Sequence, residues 1–246
     1  MFYAKTPYLA RGNSYQNHTN SKPYTAPMQL SPALRERIHN ALQSFAVQPL
    51  PPNGRSRAAV ALVIADEGLG AALPGMTAHS VWSSQAAVIL TRRALHLRNH
   101  AGQWALPGGR MEAGESPAQA ALRETQEEIG LQLNPVQVLG CLDDYATRSG
   151  FVITPVVIWA GAVHHLHPNP DEVASIHRIP LTELLRSDAP MLETTTDAPH
   201  PILCMPLGDS WVAAPTAAFL YQLREVCLRG LPTRVAHFDQ PRFAWR

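Results

Sequence analysis

Glu124, Glu127 and Glu128 stand at positions i, i+3 and i+4, late in a helix whose two ends are marked by its own residues. Ser116 fits an N-cap, Pro117 fits the first helical position, and Gln119 completes a capping box. Gly130 suits the left-handed conformation that ends a helix. At about 100° per residue the three carboxylates share one face, and like charges at this spacing destabilise an isolated helix. A solvated face would interleave lysines, yet none follows Lys22. Two descriptions fit: an ordinary amphipathic surface helix, or a face that holds a hard divalent cation such as Mg²⁺ or Mn²⁺. Ala118, Leu122, Thr125 and Ile129 are expected to form the opposite, inward-packing face. Arg123 is placed to bridge to Glu115 and brace the preceding loop.

Gly109, Glu115 and the run Arg123-Glu124-Thr125-Gln126-Glu127-Glu128-Ile129-Gly130-Leu131 make a denser pattern. It resembles the Nudix box, GX5EX7REUXEEXGU, with every glycine, acid and arginine in place. Thr125 is the one departure, where the family usually has an aliphatic residue. Threonine approximates valine in shape, and its hydroxyl can bond a carbonyl one turn earlier. The resemblance implies an α/β Nudix fold, a mixed β-sheet sandwiched between helices (α/β/α). It implies Mg²⁺- or Mn²⁺-dependent hydrolysis of a nucleoside-diphosphate-linked substrate. Glu124, Glu127 and Glu128 become the catalytic carboxylates and, with the Gly108 carbonyl, the metal ligands. Glu127 or Glu128 is also a candidate base, and Glu115 and Arg123 are the structural brace.

Immediately upstream, Arg92, Arg93, His96, Arg98 and His100 concentrate positive potential beside this site. Arginine forks match phosphate oxygens; the plain alternative is a solvated basic loop. The string from Ile89 to Gly109 is similar to the LLTxRSxxLRxHxGQxxFPGG signature of the coenzyme A diphosphatase branch of the Nudix family. Ile89, Ala94 and Leu106 replace its Leu, Ser and Phe, whereas Arg93, Leu97, Arg98, His100, Gly102 and Gln103 are retained. The similarity continues through Thr154-Pro155-Val156-Val157 and Asp171-Glu172-Val173. It implies substrate contacts from Arg93, Arg98, His100 and Gln103, with coenzyme A cleaved to 4′-phosphopantetheine and adenosine 3′,5′-bisphosphate. The nearest rival is a Nudix hydrolase for ADP-ribose, a dinucleotide or an NTP. A nucleotide sensor that no longer cleaves is the alternative of a different class, and the intact glutamates count against it.

The rest of the chain bounds these readings. Its 246 residues are 46% hydrophobic and 16% charged with a formal net charge of +1, enough for a sizeable core. The basic residues are scattered, which disfavours nucleic acid as a partner. The apolar runs around 58–65 and 151–163 are too short to span a bilayer. Cys141, Cys204 and Cys227 form neither a disulfide framework nor a zinc pattern, which suits a reducing compartment. A cytoplasmic location is expected. The acid-free composition of residues 1–35 weakly resembles an organelle transit peptide. The expected partner is a small nucleotide substrate, with a homodimer left open and neither nucleic acid nor membrane involved.

The order of elements predicts an N-terminal extension over 1–54, a hydrolase domain over 55–230 and a C-terminal tail over 231–246. Residues 1–27 read as unstructured. Helices are expected from Pro32 to Phe45 and from Pro215 to Leu228, strands at 57–65, 86–92, 136–146, 151–160 and 173–180, and a long loop from Asp66 to Ser84. Asp143, Asp144 and Glu172 are weaker candidates for a distal base or ligand, against a structural role. His164, His165 and His167 fit an exposed turn better than a metal cluster. Trp104 and Trp159 fit the core, or a stack on adenine.

Overall fold

The structure, a computed structural model, describes residues 27–194 and 199–241. Apart from Pro27, the stretch expected to be unstructured lies outside them. The first element is α1 (Pro32–Ser44), opened by Ser31, whose hydroxyl accepts from the Leu34 N–H at 3.2 Å. Strands β1 (Ser56–Gly70), β2 (Ala78–Arg93), β3 (Trp104–Ala105) and β4 (Gly108–Arg110) precede α2 (Pro117–Ile129). Then come β5 (Val138–Cys141), β6 (Tyr145–Ala146), β7 (Phe151–Gly161) and β8 (Val173–Pro180). Short strands β9 (Met191–Glu193), β10 (Ile202–Leu207) and β11 (Ser210–Ala213) lead into α3 (Thr216–Leu223), which continues as a wider π-type turn over Arg224–Leu228.

The main sheet runs β3-β2-β1-β7-β5, with β4 on β1, β6 on β7 and β8 on β2. It is mixed: β1 and β7 are parallel from Ser56↔Phe151 to Ile64↔Trp159, and β1 and β2 are antiparallel. The period-2 alternation of β1 separates two cores. Ala59, Ala61, Val63 and Ala65 face α2, and their small side chains let Ala120 and Ala121 approach closely. Leu62 and Ile64 face the other way, toward α1, α3 and the small sheet β11-β10-β9. The result is an α/β/α sandwich. From α1, Leu34, Ile38, Leu42 and Phe45 enter the second core, each contributing about 1.5–3 kcal/mol of apolar burial.

Residues on both sides of the 55–230 span are tied into it. The buried Asp143 carboxylate accepts from the Gln48 N–H (2.7 Å), Gln222 Nε2 (2.8 Å) and Arg234 Nη1 (2.7 Å). Its neighbour Asp144 accepts from the Leu50 N–H (2.9 Å). These two acids therefore clamp the N-terminal link and the residues after α3.

One expectation is corrected. Asp66–Ser84 is not a loop: β1 runs to Gly70 and β2 starts at Ala78, so a hairpin arm projects from the sheet. Its register slips between Asp66 and Gly68 and again between Gly68 and Gly70. Polar bonds hold it where apolar periodicity is missing. The Trp82 indole donates to Asp66, and the Ser83 hydroxyl donates to Glu67 at 2.9 Å. No helix among the described residues is long and apolar enough to cross a membrane.

Candidate active site

Helix α2 begins as its sequence dictates. The Ser116 hydroxyl accepts from the Gln119 N–H, the Gln119 side chain accepts from the Ser116 N–H at 2.8 Å, and Gly130 closes the helix at φ 67°. The Thr125 hydroxyl donates to the Ala121 carbonyl at 2.6 Å inside the core, so the one departure from the box is absorbed locally. Arg123 grips the preceding loop with a bidentate pair to Glu115 (3.0 and 3.1 Å) and a bond to the Arg110 carbonyl (3.1 Å). Hydrogen bonding from Arg123 holds the Glu115 carboxyl below the usual carboxylate range.

The inward face of α2 differs from expectation. Ala120, Ala121, Thr125 and Ile129 are buried, Ala118 and Leu122 only half so, and Glu128 is buried with them at 5% exposure. The cause is the segment 163–172, which covers the end of the helix. The N–H groups of His167 and Asn169 donate to the carbonyls of Ile129 (2.9 Å) and Glu128 (2.8 Å). Those carbonyls lack partners within the helix itself.

This segment delivers a third carboxylate. Glu124, Glu128 and Glu172 have ligand atoms within 4.8 Å of one another. Glu172 is held by its N–H to the Asn169 carbonyl (3.0 Å) and its carbonyl to the Ala94 N–H (2.8 Å). Burial raises the Glu128 carboxyl to about 8, and repulsion from Glu124 and Glu172 adds to it; Arg93 and the Gly108 N–H oppose the rise. Burial also raises Glu124, against the pull of Arg123. Glu127 stands apart: its side chain is 53% exposed and its carboxylate binds Arg123 at 2.9 Å. Three acids converging in a half-dry site repel unless protonated or bridged, and hard oxygen donors so placed suit a divalent cation of the Mg²⁺ class.

Two glycines permit the close packing. A side chain at Gly108 would strike the β1 backbone at Ala59 and Val60, and one at Gly109 would strike the Glu124 carboxylate. Gly109→Ala is therefore expected to keep the fold but displace Glu124, lowering kcat/KM by about a hundredfold. Steady-state kinetics beside a thermal melt checks this, and unchanged kinetics would free Glu124 from its position.

The basic string forms a second arm, 94–103, closed by the Arg93 N–H to the Gln103 carbonyl (3.0 Å) and the Gly102 N–H to the Arg93 carbonyl (3.1 Å). Strand alternation sends its arginines to opposite faces. Arg92 lies 3.7 Å over the Trp104 ring and bonds the Gly102 carbonyl at 3.0 Å. Arg93 acts electrostatically on Glu128 and on His100, and its Nε has no hydrogen-bond partner. Burial, then Arg93, lowers His100 below the ordinary histidine value, while the Gln103 side chain opposes them. Arg98 is exposed on the arm.

The sequence matches the NUDIX domain over residues 74–198. The chain belongs to the Nudix family. A Nudix hydrolase NudL of Pectobacterium atrosepticum, named as uncharacterized, is 40% identical over 139 residues, 55% of this chain and 72% of that protein. Nudix hydrolase 3 of Caenorhabditis elegans is 41% identical over 103 residues, 40% of this chain and 43% of that one. A crystal structure of a Nudix hydrolase from M. smegmatis, RenU, is similar at TM-score 0.41 and 26% identity, over 74% of this chain and 90% of that one. The Nudix assignment stands on the domain match and the sequence relatives. It makes the chain a Nudix hydrolase, acting on phosphoric anhydride bonds.

Glu172, a weaker candidate in the sequence although the family similarity runs through Asp171-Glu172-Val173, is the acid that the structure brings to Glu124 and Glu128. His164, His165 and His167 are exposed, with the rings of His165 and His167 stacked 6.4 Å apart. Trp104 is buried and Trp159 is partly buried against the core.

Proposed function

We propose that the protein is a coenzyme A diphosphatase, cleaving coenzyme A or its derivatives to 4′-phosphopantetheine and adenosine 3′,5′-bisphosphate with Mg²⁺ or Mn²⁺. The observation that carries this reading is the joining of the Arg93–Gln103 arm to the carboxylate cluster: the Ala94 N–H donates to the Glu172 carbonyl at 2.8 Å, and Arg93 acts electrostatically on both His100 and Glu128. A substrate with a diphosphate and a separate 3′-phosphate needs cations on one side of a metal-binding acid cluster. Arg93, Arg98 and His100 are the candidates, on a string similar to the coenzyme A signature at their positions.

In this reading Glu124 and Glu128, with Glu127 and the Gly108 carbonyl as the box implies and Glu172 as the structure adds, hold the divalent ion. That ion would neutralise developing phosphoryl charge and lower the pKa of a water. Glu115 and Arg123 fix the loop, and Arg93, Arg98, His100 and Gln103 orient the phosphates. Glu127 or Glu128 is the carboxylate placed to accept a proton from that water.

The test is a panel of coenzyme A, ADP-ribose, dinucleotides and NTPs with Mg²⁺, products identified by mass. Coenzyme A is expected to give the highest kcat/KM, and a higher value for ADP-ribose would favour the rival Nudix reading. Arg93→Ala is expected to raise KM for coenzyme A about tenfold, the scale of one charge-assisted hydrogen bond. An unchanged KM would remove Arg93 from the phosphate pocket.

A further inference from the structure

A cavity of about 360 Å³ opens between the hairpin arm, β8 and the segment 163–168. Trp82, His164, Leu166, Pro168 and Ile176 wall it, and Arg178 closes one side. It lies on the α2 side of the sheet, since Leu166 and Ile176 pack against that core. Trp82 is 36% exposed, with its ring 4.9 Å from that of His164. The charge here is already balanced. Arg178 bonds the Asp66 carboxylate (2.8 Å), the Asp66 carbonyl (2.6 Å) and the Val163 carbonyl. The cavity thus presents a mixed surface, with Trp82, Leu166, Pro168 and Ile176 as its apolar part and its one lining arginine neutralised.

Its position follows from the register of β2 on β8. Arg93 faces Val173, Thr91 faces Ile176 and Ile89 faces Arg178. Along this direction the order is the cationic arm, then Glu172 with the acid cluster, then the cavity. Ile176 lies four residues beyond Glu172, about 13 Å at strand rise. A coenzyme A molecule with its 3′-phosphate on the arm and its diphosphate at the carboxylates extends its other half toward the cavity. Charge favours this orientation, because the arm carries Arg93, Arg98 and His100 whereas Arg178 at the cavity is neutralised by Asp66.

We propose that this cavity receives the thiol end of the pantetheine half and recognises a short apolar acyl group carried there, with Trp82 as the specificity-determining residue. The inference rests on the coenzyme A reading. Its volume is at the small end of ligand pockets, which suits a short chain. The cavity wall and Glu172 belong to one continuous segment, stitched to α2 at Ile129 and Glu128. The acyl-binding surface and the acid cluster therefore share a support.

The test compares kcat/KM for coenzyme A with its acetyl, butanoyl and hexanoyl thioesters, in the wild-type enzyme and in the Trp82→Ala and His164→Ala variants. In the wild type kcat/KM is expected to rise by about fourfold per added methylene, the hydrophobic increment per carbon. Trp82→Ala is expected to flatten the series and His164→Ala to shallow it. His164 is an exposed side chain, so its loss leaves the fold intact. A flat wild-type series, or a slope unchanged in both variants, overturns the cavity assignment while coenzyme A cleavage stands. Weaker inhibition by adenosine 3′,5′-bisphosphate in Trp82→Ala, with the acyl slope unchanged, puts the base there and also overturns it. Absence of cleavage for coenzyme A and every thioester overturns the coenzyme A reading and this inference together.

Discussion

Glu128→Gln is expected to lower Mg²⁺-dependent kcat/KM by roughly a thousandfold and to make the metal-free protein more stable. The two effects share one cause. Glu128 is buried beside Glu124 and Glu172, and its carboxyl titrates at about 8 rather than 4.5. Between those values the folded protein holds a proton that the unfolded chain has released. Metal-free stability therefore falls as pH rises through that window and levels off above it. At the upper end the penalty is on the order of a few kcal/mol. Glutamine removes this charge, so the slope should shrink to the part that the buried Glu124 keeps, while the ligand is lost. Thermal unfolding in a chelator across that window, beside kinetics in Mg²⁺, reads both. A variant that keeps the wild-type pH slope, or its turnover, takes Glu128 out of the cluster.

Arg178→Met is expected to destabilise the fold by about 3–5 kcal/mol, the cost of leaving a buried partner uncompensated. Asp66 is 2% exposed, and Arg178 is both its ion-pair partner and the clamp on the Val163 carbonyl. Val163 starts the segment that delivers Glu172, so turnover should fall even at temperatures where the variant is folded. Combining Arg178→Met with Asp66→Leu removes both charges and is expected to recover only part of the lost stability, because the Trp82 indole and the Val163 N–H lose their acceptor. Urea unfolding of the single and double variants separates the outcomes. A single-variant cost below about 1 kcal/mol would reduce the pair to a surface-like contact.

What was legible in the sequence was local. The capping box, Gly130, the Arg123–Glu115 brace and the Thr125 back-bond are all set by residues a few positions apart, and each is found as expected. Helix α1 followed from its 3.6-residue apolar pattern, and strand β8 occupies the residues expected of it, 173–180. The hairpin arm did not, because Asp66, Glu67, Trp82 and Ser83 hold it by polar pairing between residues sixteen apart. The burial of Glu128 was hidden for a related reason: its cover comes from Asn169 and His167, far along the chain. Helical geometry put the glutamates on one face; it could not show that the end of this face would be roofed and given a third acid at Glu172.

The central claim is that a carboxylate cluster on α2 and its roof, served by the Arg93 arm, cleaves the diphosphate of coenzyme A. Its most direct test is mass identification of the products formed from coenzyme A by the purified protein in Mg²⁺. The account predicts 4′-phosphopantetheine and adenosine 3′,5′-bisphosphate in equal amounts, abolished by chelation. Intact coenzyme A after incubation with a folded, Mg²⁺-supplied enzyme would contradict it.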